Sequence, residues 1–405
     1  MKSQLKTIGL AGVAVFMAAS LIVYPDQALE ASIRGLNMWW EIVFPSLLPF
    51  FITAELLIGF GVVRFIGVLC EPIMRPIFKV PGVGSFVWVM GMASGYPSGA
   101  KLTARLREEK QLTKIEAERL VSFTNASNPL FIFGAVSIGF FHNPTLGLLL
   151  AVSHYVGNAI VGVIMRFYGG HEISTYRHER SLFSLRRAFE AMHETRLKDD
   201  RPFGRLFGDA VLSSIQTLLV VGGFIIIFSV LSKLLFLVGI TEVLGAFLAI
   251  LFGMAGLSGE LSLPFISGLF EITLGSQMTS TSHATLQEQV MIVSFILGFN
   301  GFSIQAQVAS ILAETDIRFL PYFIARILHG VIASTLSFFF FQPLYVERQA
   351  FHQHETPVLN QTPLLTFEHW FHWIVQIGPL VTIGALAVGA WLLIYNRSNR
   401  NKPLS

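Results

Sequence analysis

Charge is what this sequence has least of. Lys, Arg, Asp and Glu together make up 13% of its 405 residues, where a soluble domain carries about 25%. With 53% hydrophobic residues and a mean hydropathy of +0.62, that deficit excludes an ordinary water-soluble globule. Cysteine is nearly absent. Cys70 stands alone, so no internal disulfide and no cysteine-rich metal site can form, and Cys70 reads as a small apolar packing residue. Enzyme signatures are missing too: there is no HExxH, GxSxG or Walker A pattern and no dinucleotide fingerprint. The chain is therefore read as a non-enzyme without a cofactor, and any transport would draw on a gradient or on facilitated diffusion. The net charge of +3 reflects loop bias rather than nucleic-acid binding.

Long apolar runs and 37 phenylalanines are what the chain has instead. They define an all-α polytopic membrane protein. Full spans are predicted at 7–24, 38–59, 121–141, 144–166, 210–237, 290–312, 319–341 and 372–395, each near the ~20 residues a bilayer needs. The first run follows Lys2 and Lys6 and reads as a retained helix rather than a cleaved signal peptide, being long and lacking a small-x-small site. Two further apolar stretches, 82–99 and 258–275, are rich in Gly, Ser and Pro. Each is expected to enter the membrane as two half-helices and return on the same side. Broken backbone of this kind must be buried in protein or line a cavity. The amphipathic stretch 60–79, with Arg64, Arg75 and Lys79, is expected at the interface.

The same unit occurs twice. Phe50 and Phe224 are 174 positions apart, while Gly95 and Gly268, Ser137 and Ser310, and Gly157 and Gly330 are each 173 apart. Interrupted segments at matching places in two halves point to a transporter binding site. Basic residues crowd 101–119 and 166–205 and recur in the tail at Arg397, Arg400 and Lys402, whereas 275–289 has none. The positive-inside rule makes those basic segments and both termini cytoplasmic. Three full spans per copy then invert the second copy. The expected organisation is an N-terminal transmembrane anchor and external link (1–36), a first gate-type repeat (37–168), a basic cytoplasmic loop (169–206), a second, inverted repeat (207–341), an external His-containing loop (342–371), and a C-terminal transmembrane helix with a basic tail (372–405). The fold expectation is about eight transmembrane helices plus two re-entrant broken-helix hairpins in two inverted-topology repeats.

Polar residues at membrane depth are the candidate site. In the first copy these are Ser94, Ser98 and Gly99 at the broken tip, where free N–H groups attract anions, and Asn125, Ser127 and Asn128 before Pro129. The latter group either caps a helix or marks an unwound, ligand-contacting point. In the second copy they are Glu271 and Thr273 in the broken segment, then Asn300, Ser303, Gln305 and Gln307 inside an otherwise apolar helix. Glu41 and Glu55 are expected to share a face of one helix, either in a cavity or at opposite headgroup boundaries. Lys101 is expected to snorkel to the interface. His352, His354, His369 and His372 fix no third ligand by spacing, so no metal is expected.

Three stretches carry a family resemblance: Gly95-Tyr-Pro-Ser-Gly-Ala-Lys101, Asn125-Ala-Ser-Asn-Pro-Leu-Phe-Ile-Phe-Gly134 and Gly268-Leu-Phe-Glu-Ile-Thr-Leu-Gly275. They resemble the YlbJ (stage V) family of sporulation integral membrane proteins, within the nucleoside-recognition or gate group. The resemblance implies a multi-pass membrane protein of endospore formation that serves cortex assembly and spore maturation. It also implies transport of dipicolinic acid, a small planar dianion, across the outer forespore membrane. The expected partners are that small anionic substrate and the lipid bilayer, with homo-oligomerisation left open. A non-transporting scaffold for cortex assembly, and a carrier of a nucleoside or other small anion, stand as alternatives.

Overall fold

The computed structural model describes residues 2–170, 184–199 and 201–347. The expected span 372–395 and the four histidines between 352 and 372 lie outside the described residues. Within them every regular element is helical, as a chain that must satisfy its backbone inside lipid requires. The protein is an all-helical polytopic membrane protein. Four helices are long and apolar enough to cross a bilayer: Leu146–Met165, Phe203–Leu237, Leu286–Ala313 and Phe319–Val346. Two bent pairs bring the total among the described residues to six.

Helix α1 (Lys2–Val23) leads into α2 (Pro25–Met38), which occupies part of the expected external link. A π-helical turn at Trp39–Val43 joins α2 to α3 (Phe44–Gly59). Pro45 explains the wide turn, since it has no N–H to give the carbonyl four residues back and its ring crowds that carbonyl. The π turn also corrects the expectation for Glu41 and Glu55. It holds more residues than an α turn and shifts the phase between them. Glu41 is exposed, while Glu55 is largely buried and faces Arg105 at 3.6 Å.

From α3 onward the element order runs twice. The first pass is α3, α4 (Val62–Phe78), α5 (Val83–Ser94), α6 (Ser98–Glu108), α7 (Lys114–Thr124), a π-helix at Leu130–Phe140 and α8 (Leu146–Met165). Then α9 (Leu185–Lys198) fills part of the basic loop. The second pass is α10 (Phe203–Leu237), α11 (Ile240–Met254), α12 (Ser262–Phe270), α13 (Ile272–Ser280), α14 (Leu286–Phe299), α15 (Gly301–Ala313) and α16 (Phe319–Phe341). Local chemistry matches at equivalent joints. Gly61 (φ 75°) and Gly239 (φ 80°) make the left-handed steps α3–α4 and α10–α11, a conformation that costs glycine little. Thr113 with Glu116 and Thr285 with Glu288 form capping boxes that start α7 and α14.

Two expected spans differ from the prediction. Residues 121–141 are not one helix: α7 stops at Thr124, and the chain is non-helical through Asn125–Asn128. The span at 290–312 is broken at Asn300, whose φ is 79°. Asparagine is among the few residues that visit this left-handed region readily, and Gly301 follows at φ 67°. Asn300 therefore sits at a break rather than inside a helix. The stretch 60–79 is α4, which turns by 80° from α3.

Lipid tails are as apolar as leucine, so helix association here depends on close packing and hydrogen bonds. The two passes share their cores. Leu106 and Leu120 of the first pack in one cluster with Val308, Leu312 and Tyr322 of the second. Ile132 and Leu149 likewise join Val290, Val293 and Leu297. Helices α14 and α16 meet at Gly298, where an added Cβ would lie 2.8 Å from Gly330 Cα.

Candidate functional site

Four chain breaks converge on one cavity of about 490 Å³. The first is Gly95-Tyr96-Pro97 between α5 and α6, with a cis Tyr96–Pro97 peptide. The second is Asn125–Asn128 after α7, the third is Glu271 between α12 and α13, and the fourth is Asn300 between α14 and α15. Ser94, Ser127, Asn128, Glu271, Thr273, Asn300, Ser303 and Gln307 all line the cavity, joined by Tyr96 and by the aromatic faces of Phe131 and Phe140. Among the described residues that line it there is no Lys, Arg or His.

A break leaves carbonyls unpaired at one helix end and N–H groups unpaired at the next. Here the carbonyl ends are covered from within the protein. Asn128 Nδ2 donates to Ser94 O of α5 (3.1 Å), and Asn128 Oδ1 accepts from the Phe131 N–H (2.7 Å). Tyr96 donates its hydroxyl to Leu297 O of α14 (2.6 Å). With its amide nitrogen toward Leu297 O and Gly298 O (3.0 Å each), Asn300 adds a second cover there, and its oxygen accepts from the Tyr322 hydroxyl (3.1 Å). Asn125 Nδ2 donates to the same hydroxyl (2.8 Å), so Tyr322 ties the two asparagine breaks together. At α7 the cover is Arg326, which donates to Asn125 O (3.0 Å) and to Ser122 O.

The N–H ends are treated differently. Glu271 caps α13 with both carboxylate oxygens, accepting from Thr273 N–H (3.0 Å) and Leu274 N–H (2.6 Å). Helix α15 begins with no side-chain cap. Its first-turn residue Ser303 and its preceding Asn300 face the cavity. Among the described lining residues the cavity therefore holds one carboxylate, already engaged by backbone donors, and it adjoins the α15 N-terminus, which has no side-chain cap.

Four expected site residues do not line the cavity. Ser98 donates its hydroxyl to Gly95 O and accepts from the Ser94 hydroxyl (2.6 Å). Gly99 is buried against α7, where a Cβ would fall 2.1 Å from Thr124 O. Asn125 is committed to Tyr322 and Arg326. Gln305 donates to Phe299 O (2.8 Å) across the neighbouring break. Each is a packing or break-holding residue because it lies on the side of its element that faces protein. Lys101 does not snorkel to the interface. It is 9% exposed, with Nζ 4.6 Å from the Phe51 ring centroid and 3.4 Å from Ser213 O.

Sequence reasoning missed the cluster behind the cavity wall. Arg326 is fully buried, and its partners are carbonyls, Asn158 Oδ1 (3.3 Å) and His329 Nδ1 (3.0 Å), with no carboxylate among them. His329 Nε2 donates to His154 O (2.8 Å), and the Ser127 N–H donates to His154 Nε2 (3.0 Å). An arginine and a histidine three positions apart in the apolar run 319–341 were the available signal, since intramembrane ionisable groups are rare without a role.

The profile of the nucleoside-recognition Gate family matches residues 40–170 and 218–317. These ranges contain all four breaks. The chain is 53% identical to the sporulation integral membrane protein YlbJ of Bacillus subtilis (strain 168), over 99% of each chain. No solved structure matches it. A likeness of that extent shows that this chain belongs to the YlbJ family of sporulation integral membrane proteins, within the Gate group.

Proposed function

We propose that this protein is a non-enzymatic transporter that carries dipicolinic acid across the outer forespore membrane, serving cortex formation and spore maturation. The observation that carries the transport reading is the convergence of four chain breaks, two from each pass, on one cavity among apolar helices. Irregular backbone is expensive in a membrane and is kept where a ligand is handled. A scaffold that only recruits partners gives no reason for it.

Four features favour a small planar anion. The carbonyl ends of α5, α7 and α14 are covered by protein donors, which removes their negative ends from the ligand. Helix α15 offers uncapped N–H groups. The Arg326 guanidinium, one layer behind Asn125 and in no salt bridge among the described residues, leaves a positive charge in a low-dielectric wall, where its field reaches the cavity. Tyr96, Phe131 and Phe140 supply ring faces for a pyridine. In this reading the second pass is inverted relative to the first, so each break pair approaches the cavity from its own side.

The Gate family's description also supports a second reading, a nucleoside carrier, for which Asn128, Asn300 and Gln307 would serve as hydrogen-bonding groups. Uptake of labelled dipicolinate into vesicles containing only this protein separates the readings. Saturable uptake that excess unlabelled nucleoside leaves unchanged supports the anion. Uptake of labelled nucleoside alone supports the second reading. Neither ligand exceeding empty vesicles would remove transport and return the scaffold.

A further inference from the structure

A second cavity, of about 560 Å³, lies beside the first and differs from it in character. Its walls carry Lys101, Arg105, Lys198 and Arg201 together with carboxylates, including Glu55 and Asp199. Most of these charges neutralise one another. Arg105 faces Glu55 (3.6 Å), Glu108 (3.7 Å) and Glu109 (3.2 Å), and Arg201 faces Asp199 (2.7 Å) and Asp209 (2.9 Å). Lys101 forms no salt bridge among the described residues, Glu55 acting on it only at longer range, and its ammonium lies against Phe51 and Ser213 O.

The two cavities follow one another along the same helices. On α10, Thr217 lines this vestibule and Val221 the central cavity. On α15, Gln307 lines the central cavity and Ile311 the vestibule. On α3, Leu47 lines the central cavity, Glu55 the vestibule, and Phe51 between them lines neither. Four residues of helix rise about 6 Å, so one helical turn separates the spaces. That turn is filled by Phe51, 2% exposed, packed with Leu47 and the fully buried Leu218 of α10. The Lys101 ammonium lies over the Phe51 ring, 4.6 Å from its centroid.

We propose that Phe51 is the plug between vestibule and central cavity, and that Lys101 is the charge selecting for anions at that constriction. The proposal rests on the transport reading above and places its selectivity at a named point of the path. With Phe51 in place the ammonium is stacked on the ring and the passage is closed. When the ring swings aside, the ammonium loses its cation–π contact and becomes a cation, in no salt bridge among the described residues, that a solute meets at the constriction. It attracts carboxylates and repels cations. The paired arginines of the vestibule do neither strongly, because each is neutralised locally.

The test reads the passage without any transported substrate. In a Cys70→Ala background, Ser303→Cys reports from the central cavity and Thr217→Cys from the vestibule. The side from which impermeant thiol reagents label Thr217→Cys defines the vestibule side. Two methanethiosulfonates are then applied from that side, one bearing a sulfonate and one a trimethylammonium group. Phe51→Ala is expected to raise Ser303→Cys labelling by both reagents about tenfold or more, with Thr217→Cys unchanged. Adding Lys101→Met is expected to lower the sulfonate-to-trimethylammonium rate ratio at Ser303→Cys about tenfold, as loss of one nearby charge requires. Phe51→Leu, which keeps most of the packing, should give an intermediate rise and covers the case in which the alanine variant fails to assemble. Unchanged Ser303→Cys labelling in the assembled variants overturns the plug. An unchanged rate ratio overturns the selector role of Lys101. Absence of dipicolinate flux alongside a raised labelling rate would instead count against the substrate reading and leave the constriction standing.

Discussion

Asn300 joins two roles in one residue. Its backbone holds the left-handed turn between α14 and α15, and its amide covers two carbonyls and meets Tyr322. The roles separate by substitution. Asn300→Gly keeps the turn and deletes the amide, whereas Asn300→Leu also forces a leucine into a region that costs about 1–2 kcal/mol. Both variants should lose flux, and Asn300→Leu should melt lower in detergent than Asn300→Gly. Wild-type flux in Asn300→Gly would take the Asn300 amide out of the site. Glu271 makes a similar case, since its two oxygens cap α13. Glu271→Gln leaves one acceptor and turns a donor toward a backbone N–H. A stability loss of about 1 kcal/mol is expected, measured as the detergent melting shift. An unchanged melting temperature would show that the cap contributes nothing.

Among the elements, the α5–α6 hairpin depends on how closely it clasps the end of α7. Cβ atoms added at Gly91 and Gly99 would fall 2.0 and 2.1 Å from Thr124 O. Gly99→Ala must push the hairpin off α7, an overpacking cost of about 1–3 kcal/mol, and should lower the amount of protein recovered in membranes. Normal recovery and normal flux would mean that the hairpin has room to move. Arg326 holds the same helix end from the other side, tying α7 to α16 through Ser122 O and Asn125 O. A lysine there keeps the charge but not the planar fork. Arg326→Lys should therefore lose about 3 kcal/mol through forfeited charge-assisted bonds, read as a fall in membrane abundance. Retained abundance would mark the arginine as dispensable to assembly.

For the molecule as a whole, the positive-inside rule expects the two passes to run in opposite orientations. In a Cys70→Ala background, Lys110→Cys follows α6 and Ser280→Cys ends α13, at equivalent places of the two passes. An impermeant thiol reagent applied outside should label Ser280→Cys and spare Lys110→Cys. Labelling of both from one side would remove the inversion. The passes are also bridged at one end by Arg107 and Asp316 in a two-pronged pair (2.9 and 2.8 Å). Hydrogen bonding to Arg107 holds the Asp316 carboxyl below the usual carboxylate range. A carboxylate depressed in the folded state stabilises it at neutral pH, and that contribution disappears as pH falls below about 3.9. The pair is partly exposed, so its worth stays under about 1 kcal/mol. Asp316→Asn should lower the melting midpoint at pH 7, with the gap to the unsubstituted protein closing below pH 4. A gap independent of pH would exclude the ion pair as its cause.

Composition alone determined the membrane class, because 13% charge cannot coat a soluble surface. The constant offset near 173 and the two Gly/Ser/Pro-broken stretches made the doubled architecture legible, since such breaks interrupt an apolar run visibly. Eight of twelve candidate residues line the cavity for the same reason: a polar side chain at a break is conspicuous in an apolar sequence. Other features were decided only by packing. Ser98, Gly99, Asn125 and Gln305 belong to the same breaks, yet face protein, because which side of a short half-helix meets the cavity depends on its neighbours in space. The π turn at Trp39–Val43 changed the phase of Glu41 against Glu55, which an ideal helical period could not register. Arg326, Tyr322 and Phe51 act through partners up to about 200 positions away in the chain, and only the folded bundle brings those partners together.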